Sequence, residues 1–133
     1  MLVSEVKEEA RYLLNDNGTP PRISNATLIQ WVDEGQKDAL WRRPDLASSA
    51  DGSATLTPDG ITGTEERQLA TALLLPDRLR GALGAYMAYR ALRADNSDVK
   101  NLEAARAFFG AYLEGLGAIG RLEEGQQGQK GRG

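Results

Sequence analysis

Four stretches of the sequence repeat apolar residues at helical spacing and therefore predict four helices. In the first stretch the repeated residues are Val6, Ala10, Leu13 and Leu14. We expect Ser4 to cap the start of this helix, because its hydroxyl can accept a hydrogen bond from a free backbone N–H. Residues 15–18 have the polar and glycine composition of a turn, and the prolines that follow cannot continue a helix.

The second predicted helix has clear signals at both ends. Ser24 is a good N-cap, and Pro44 cannot continue a helix. The apolar stripe between them contains Leu28, Trp31, Val32, Gly35 and Ala39. Arg42 and Arg43 fall in the last turn, where positive charge is favourable to the helix dipole.

Two further helices are predicted in the second half of the chain. Pro76 suits the first position of the third helix, which ends at a polar turn over residues 95–98. The apolar seam of the fourth helix contains Val99, Leu102, Ala105, Phe109, Tyr112 and Leu116. Gly117 is well placed as the residue that ends this helix. The sequence therefore predicts an all-α fold, a bundle of about four helices.

Two segments lack helical periodicity. Residues 45–75 contain turn signals and two short stretches, 53–57 and 68–75, that predict a short β-hairpin or an extended arm between helices 2 and 3. Residues 118–133 are rich in glycine and glutamine, and we expect an extended C-terminal tail there. The predicted organisation is a helical domain over residues 1–117 followed by this tail.

Composition narrows the possible chemistry. The 133 residues include no cysteine and no histidine, which excludes disulfides, thiol nucleophiles and histidine-dependent catalysis or metal binding. The acidic pairs Asp33-Glu34 and Glu65-Glu66 are adjacent in sequence, so their carboxylates point apart and suit a solvated surface. The glycines of residues 81–84 have no P-loop lysine and suit close helix packing. We predict no enzymatic activity, no metal and no cofactor.

Charge and hydropathy also limit the partners. The net charge of -3 argues against a protein that neutralises many phosphates. No apolar run is long enough to cross a bilayer, and the first residues lack the features of a signal peptide. We expect a soluble intracellular interaction protein that does not bind membranes.

Aromatic and arginine side chains are the candidates for interface contacts, because such residues often anchor protein interfaces. The candidates for a subunit or tail-protein interface are Trp41, Arg42, Arg43, Tyr89 and Arg90. We expect Trp31 and Tyr86 in the core, with Tyr89 and Arg90 at its edge. For Trp41, a core position and an interface position are both open.

Several short motifs follow one another in a fixed order. They are Arg11-Tyr12-Leu13-Leu14-Asn15-Asp16, Arg22-Ile23-Ser24, Leu28 through Trp31 to Glu34-Gly35-Gln36, Arg43-Pro44-Asp45, Leu75-Pro76-Asp77 and Tyr89-Arg90-Ala91, and a closing helix to Leu116-Gly117. In this order, over residues 4–117, they resemble the head-to-tail adaptor (connector) family of tailed bacteriophages.

The resemblance implies a structural protein of the virion neck, assembled in the bacterial host cytoplasm. Family members form a dodecameric ring of identical copies beneath the portal protein, and the ring offers a platform to a downstream tail or nozzle protein. Genomic DNA passes through the ring without sequence-specific binding during ejection. Many relatives carry a large β-rich insertion at the position of residues 45–75.

In this setting we expect the C-terminal tail to dock on the portal protein. The candidate contacts are two apolar anchors and three cations that can form charge-assisted hydrogen bonds: Ile119, Leu122, Arg121, Lys130 and Arg132.

Two alternatives come from other protein classes. A small oligomeric DNA-binding helical phage protein, such as a terminase small subunit, would share the size and the helical content. It would need a basic recognition helix, and none stands out in the sequence. A carboxylate-dependent glycosidase would need two carboxylates across a cleft, whereas the acidic pairs of this chain are adjacent.

Overall fold

The structure, a computed structural model, describes residues 1–16, 18–19, 21–47, 61–94 and 99–132, with side chains described as far as Gly117. This part of the chain contains five α-helices: α1 (Val3–Leu14), α2 (Asn25–Arg42), α3 (Glu65–Leu69), α4 (Arg80–Ala94) and α5 (Val99–Arg132). Two 3-10 turns, Pro44–Ala47 and Asp77–Leu79, follow α2 and precede α4. No strand is found within these described ranges, so the all-α class is confirmed.

α1 begins before its predicted cap. The helix starts at Val3, because Leu2 forms an isolated antiparallel bridge with Ala72 and the chain leaves that bridge directly into the helix. The Glu5 carboxylate accepts a hydrogen bond from the Leu2 N–H at 2.8 Å, so Glu5 takes the capping role that we predicted for Ser4.

α2 has the predicted ends. The Ser24 hydroxyl accepts a hydrogen bond from the Thr27 N–H at 3.2 Å, which confirms Ser24 as the N-cap. At the other end the helix stops at Arg42, two residues before Pro44.

α4 is the central helix and packs against α1, α2 and α5. The core contains Val6, Ala10, Leu28, Val32, Leu79, Leu83, Met87, Tyr112 and Leu116. Glycines allow the close approaches. A Cβ atom built on Gly35 would lie 2.8 Å from the Tyr86 ring, and one on Gly115 would lie 2.7 Å from Ala82. Gly84 packs against α1 in the same way, as predicted, whereas no heavy atom lies within 4 Å of a Cβ built on Gly81, so the prediction was wrong for that glycine.

The residues that the structure describes do not support the predicted β-hairpin. Its first stretch, residues 53–57, lies outside the described residues. Its second stretch, residues 68–75, does not form a strand, because its first two residues end α3 and only Ala72 makes a bridge. Thr64 explains the helix: its hydroxyl accepts a hydrogen bond from the Arg67 N–H at 3.3 Å and caps α3.

The last helix is longer than predicted. We expected it to end at Gly117 and to give way to an extended tail, but the backbone of α5 stays helical to Arg132. No proline follows Pro76 in the sequence, and a glycine inside a helix costs only about 1 kcal/mol relative to alanine. Glycine alone is therefore a weak stop signal.

Candidate interaction surface

Residues from the first two motifs of the resemblance meet in a buried ion-pair network. Arg11 and Asp16 are 6% and 3% exposed, and Arg11 Nη1 donates to Asp16 Oδ2 at 2.9 Å. Arg11 also donates to the Ile23 carbonyl at 3.1 Å and to Asn25 Oδ1 at 2.6 Å. The backbone N–H groups of Arg22 and Ile23 donate to the Asp16 carboxylate at 2.8 and 3.2 Å. These bonds fix the turn between α1 and α2.

The network holds Asp16 in its ionised form. Burial alone would raise the pKa of Asp16, but the two backbone N–H donors and the positive charges of Arg11 and Arg22 outweigh burial and lower the pKa below its usual value. Because Arg11 and Asp16 are buried and bonded to each other and to the backbone, we assign the network a structural role.

Other motifs of the resemblance also contact one another. Arg90 Nε donates to Glu34 Oε2 at 3.1 Å and joins α4 to α2. Arg43 donates to the Leu116 carbonyl at 2.8 Å and forms a two-bond pair with the Asp45 carboxylate at 2.6 and 2.9 Å. The motifs thus supply polar contacts between elements of the bundle, in addition to its apolar core.

A different cluster lies where the end of α2 meets α4 and α5. The Arg42 guanidinium is 5.6 Å from the ring centres of both Trp41 and Phe109. The Phe109 ring is 4.7 Å from the Tyr89 ring. Arg93 lies 5.8 Å from the Tyr89 ring centre and donates a hydrogen bond to the Tyr89 hydroxyl. We call these five residues the aromatic–arginine surface.

A cleft of about 400 Å³ opens beside this surface, between α4 and α5. Its lining consists of Tyr89, Arg93, Leu102, Ala105, Arg106 and Phe109. Among the residues that the structure describes, the lining combines two aromatic rings, two aliphatic side chains and two guanidinium groups, and it includes no carboxylate. Both charges among these six residues are positive, whereas the chain as a whole carries -3.

A buried tyrosine supports the surface from the core side. Tyr112 is fully buried, its hydroxyl donates to Asp38 Oδ2 at 2.6 Å, and its ring lies 6.0 Å from the Phe109 ring. Arg42 Nε donates to the same Asp38 oxygen at 2.8 Å. Burial, together with the hydrogen bond to Asp38, raises the pKa of Tyr112 well above its usual value, so the hydroxyl stays protonated. Asp38 thereby holds Arg42 beside the Phe109 ring.

The structure brings together three of the five predicted interface residues. Trp41, Arg42 and Tyr89 belong to the aromatic–arginine surface, and Trp41 is 76% exposed, which decides against a core position for it. Arg43 and Arg90 instead form the helix-to-helix contacts described above. Trp31 and Tyr86 are half-buried against the core. The side chains of the predicted tail contacts Ile119, Arg121, Leu122, Lys130 and Arg132 lie outside the described part of the chain.

Sequence reasoning missed the α5 side of the cleft. Leu102, Ala105 and Phe109 were assigned to one apolar seam with the buried Tyr112 and Leu116, and Arg93 and Arg106 were not selected. The available signal was a second helical stripe, formed by Leu102, Arg106, Phe109 and Leu113, one step round from the buried stripe. Leu102 and Leu113 are both more than a third exposed, which is unusual for a helix with a single apolar face.

The described side chains contain no group of three or more acidic residues placed to hold a metal ion. Across the described helices, none combines the length and the apolar character that a membrane crossing requires.

Comparison with known proteins does not identify a relative. Neither a scan against protein-family models nor searches of curated proteins and of solved structures found a match to this chain.

Proposed function

We propose that this protein is a head-to-tail adaptor that forms a dodecameric ring beneath the portal of a tailed bacteriophage and joins the head to the tail. The observation that carries the proposal is the aromatic–arginine surface. Trp41, Arg42 and Tyr89 were selected from the sequence as interface candidates, and they lie in one partly exposed cluster. Tryptophan, tyrosine and arginine are the residues that most often dominate binding energy at interfaces.

The contacts between motifs support the same proposal. The resemblance depends on short motifs that are far apart in the sequence, and Glu34 and Arg90 from two of them are bonded although 56 positions separate them. Such contacts are expected if the motifs mark the residues that join the helices of one fold. The contacts support a shared scaffold, and we infer the ring-forming role itself from the resemblance to the family.

The C-terminal part of α5 is the proposed contact with the portal. α5 has 34 residues, about 51 Å of helix at 1.5 Å per residue, whereas the 15 residues of α4 give about 22 Å. A helix of that length has residues to spare beyond those that pack on α4. We therefore propose that residues 118–132 dock on the portal as a helix and not as an extended tail.

Electron microscopy of the purified protein mixed with portal particles from the same genome tests the proposal. We expect a ring of density on the portal, formed by contacts in which one face of each copy meets a different face of the next. Truncation after Gly117 should weaken attachment while leaving the thermal unfolding of residues 1–117 unchanged. A single copy or a two-fold dimer on the portal would contradict the proposal.

A DNA-binding assay separates the alternative function. A terminase-like protein should shift duplex DNA at low salt and should release it steeply as the salt concentration rises. We expect no shift, because the chain has a net negative charge and because Arg11, Arg42, Arg43 and Arg90 are already paired with carboxylates. Tight, salt-sensitive DNA binding together with no ring would favour the alternative.

A further inference from the structure

We infer that the cleft between α4 and α5 binds an acidic peptide segment, which inserts one large apolar side chain between Tyr89, Leu102 and Phe109. This inference deepens the proposed function by naming the chemistry of a partner. The inference rests on the proposed function in one respect, which is that an adaptor acts by binding other proteins.

The apolar part of the cleft is suited to a single side chain. Its volume of about 400 Å³ is near the lower end of the range of ligand pockets, about 300–1,000 Å³. Leu102 is 39% exposed and lines the cleft beside the Phe109 ring, so an inserted apolar side chain would bury surface that faces water in the single chain. Aromatic walls accept aliphatic and aromatic side chains alike.

The charged part of the cleft favours a partner with carboxylates. Neither Arg93 nor Arg106 forms an ion pair within the described part of the chain. Arg93 instead contacts the Tyr89 ring and its hydroxyl. Guanidinium groups bind carboxylates through paired, charge-assisted hydrogen bonds, and such bonds are stronger at a partly desolvated site.

The same charges disfavour other occupants. Two copies that pair through the same face would bring their arginines together, which is repulsive. Nucleic acid could stack on the rings, but two of the six lining residues are Leu102 and Ala105, and the net charge of the chain is -3. An acidic peptide with an apolar anchor can contact both the apolar lining of the cleft and its two arginines.

Fluorescence anisotropy with three labelled probe peptides tests the inference on the full chain. The first probe has a central leucine–tryptophan pair with glutamates on both sides. The second replaces the glutamates by glutamines, and the third replaces the central pair by serines. We expect saturable binding of the first probe and binding weaker by about tenfold or more for each of the others.

Matched variants locate the site. Arg106→Glu should weaken binding of the first probe by about tenfold or more, because it places a carboxylate against the acidic flanks. Arg78→Glu makes the same charge change at an exposed arginine outside the cleft, and it should change affinity by less than about twofold. Leu102→Ser tests the apolar half, and circular dichroism checks that each variant is folded.

Three results would overturn the inference. These are no binding of the first probe, equal weakening by Arg106→Glu and Arg78→Glu, or tighter binding of a single-stranded oligonucleotide than of the first probe. A ring on the portal without peptide binding would remove this inference and leave the proposed function. Peptide binding without a ring would contradict the proposed function and leave this inference in place.

Discussion

Gly115 on α5 lies so close to Ala82 on α4 that a Cβ atom at position 115 would be 2.7 Å from the Ala82 Cβ. That distance is shorter than a non-bonded contact between two carbon atoms, so even one methyl group at position 115 must push the two helices apart. The pair therefore sets the spacing between α4 and α5, the two helices that form the cleft.

Replacing Gly115 by alanine should destabilise the protein. Overpacking typically costs about 1–3 kcal/mol, which exceeds the gain of up to about 1 kcal/mol from replacing a helical glycine. Gly110 is the matched control on the same helix, because no heavy atom lies within 4 Å of a Cβ built there. Gly110→Ala should be neutral or stabilising by up to about 1 kcal/mol. Urea unfolding of both variants measures the difference, and equal responses would show that the helices are not in close contact at Gly115.

The buried pair of Arg11 and Asp16 predicts a loss of stability in acid. The pKa of Asp16 is lower in the folded protein than in the unfolded chain, where the pKa of aspartate is about 3.9. Its stabilising contribution is therefore complete above the unfolded pKa and is lost as the pH falls through the lower folded value. Asp16→Asn should destabilise the protein by about 3–5 kcal/mol at neutral pH, because Arg11 stays buried without its partner.

A surface aspartate provides the control for that measurement. The hydrogen bond from Arg43 lowers the pKa of Asp45 as well, but the Asp45 side chain is about half exposed. Asp45→Asn should therefore cost no more than about 1 kcal/mol. Urea unfolding between pH 2.5 and 7 should show a flatter profile for Asp16→Asn than for the unchanged protein. A profile as steep as before would mean that other carboxylates cause the acid transition.

The hydroxyl of Tyr112 predicts a loss of stability in alkali. Its raised pKa means that the unfolded chain releases this proton near pH 10 while the folded protein keeps it. Stability is therefore complete below about pH 10 and falls as the pH rises towards the folded pKa. Tyr112→Phe should lower the free energy of unfolding by about 1.5–3 kcal/mol at pH 7, since it removes a hydrogen bond to the Asp38 carboxylate.

The same variant should flatten the alkaline profile. Unfolding measured from pH 8 to 11 should depend less on pH for Tyr112→Phe than for the unchanged protein. Tyr12 is exposed on α1, so Tyr12→Phe serves as the control and should change neither the stability nor the profile. Equal behaviour of the two variants would contradict a buried hydroxyl bonded to Asp38.

The two tryptophans should separate stability from binding. Trp41 is exposed, so Trp41→Ala should change the free energy of unfolding by no more than about 0.5 kcal/mol. Trp31 packs against the core, and Trp31→Ala should cost about 2 kcal/mol or more. Thermal unfolding followed by circular dichroism compares them. If Trp41→Ala also weakens binding to portal particles, its role is at an interface; a large loss of stability would place Trp41 in the core instead.

Local signals explain which helices the sequence predicted well. α2 is framed by Ser24 and Pro44, and each acts on the backbone beside it. The end of α5 depended on Gly117, a residue that weakens a helix without breaking it. The α3 helix was missed because only Leu69 of its five residues is apolar, so it has no apolar periodicity, and its one local signal is the Thr64 cap.

The interaction surface was only partly predictable for a different reason. Arg43, Arg90 and Arg42 look alike in sequence, and they differ only in what the folded chain places beside them. The partner of Arg90 is Glu34, from another helix, whereas Arg42 meets the ring of Phe109 from α5. Contacts of this kind depend on how helices pack, and short motifs do not contain that information.

The anchors on either side of residues 48–60 have a consequence for how this chain can change in evolution. Before the segment, Arg43 is bonded to Leu116, and after it Asn25 donates to Glu65 at 2.6 Å while Leu2 bridges to Ala72. Both ends are thus fixed by contacts between other parts of the bundle. In general, each doubling of the length of chain between two fixed points costs only about 0.6 kcal/mol. A lineage could therefore gain or lose a whole module at this position while the helices keep their sequence and their packing.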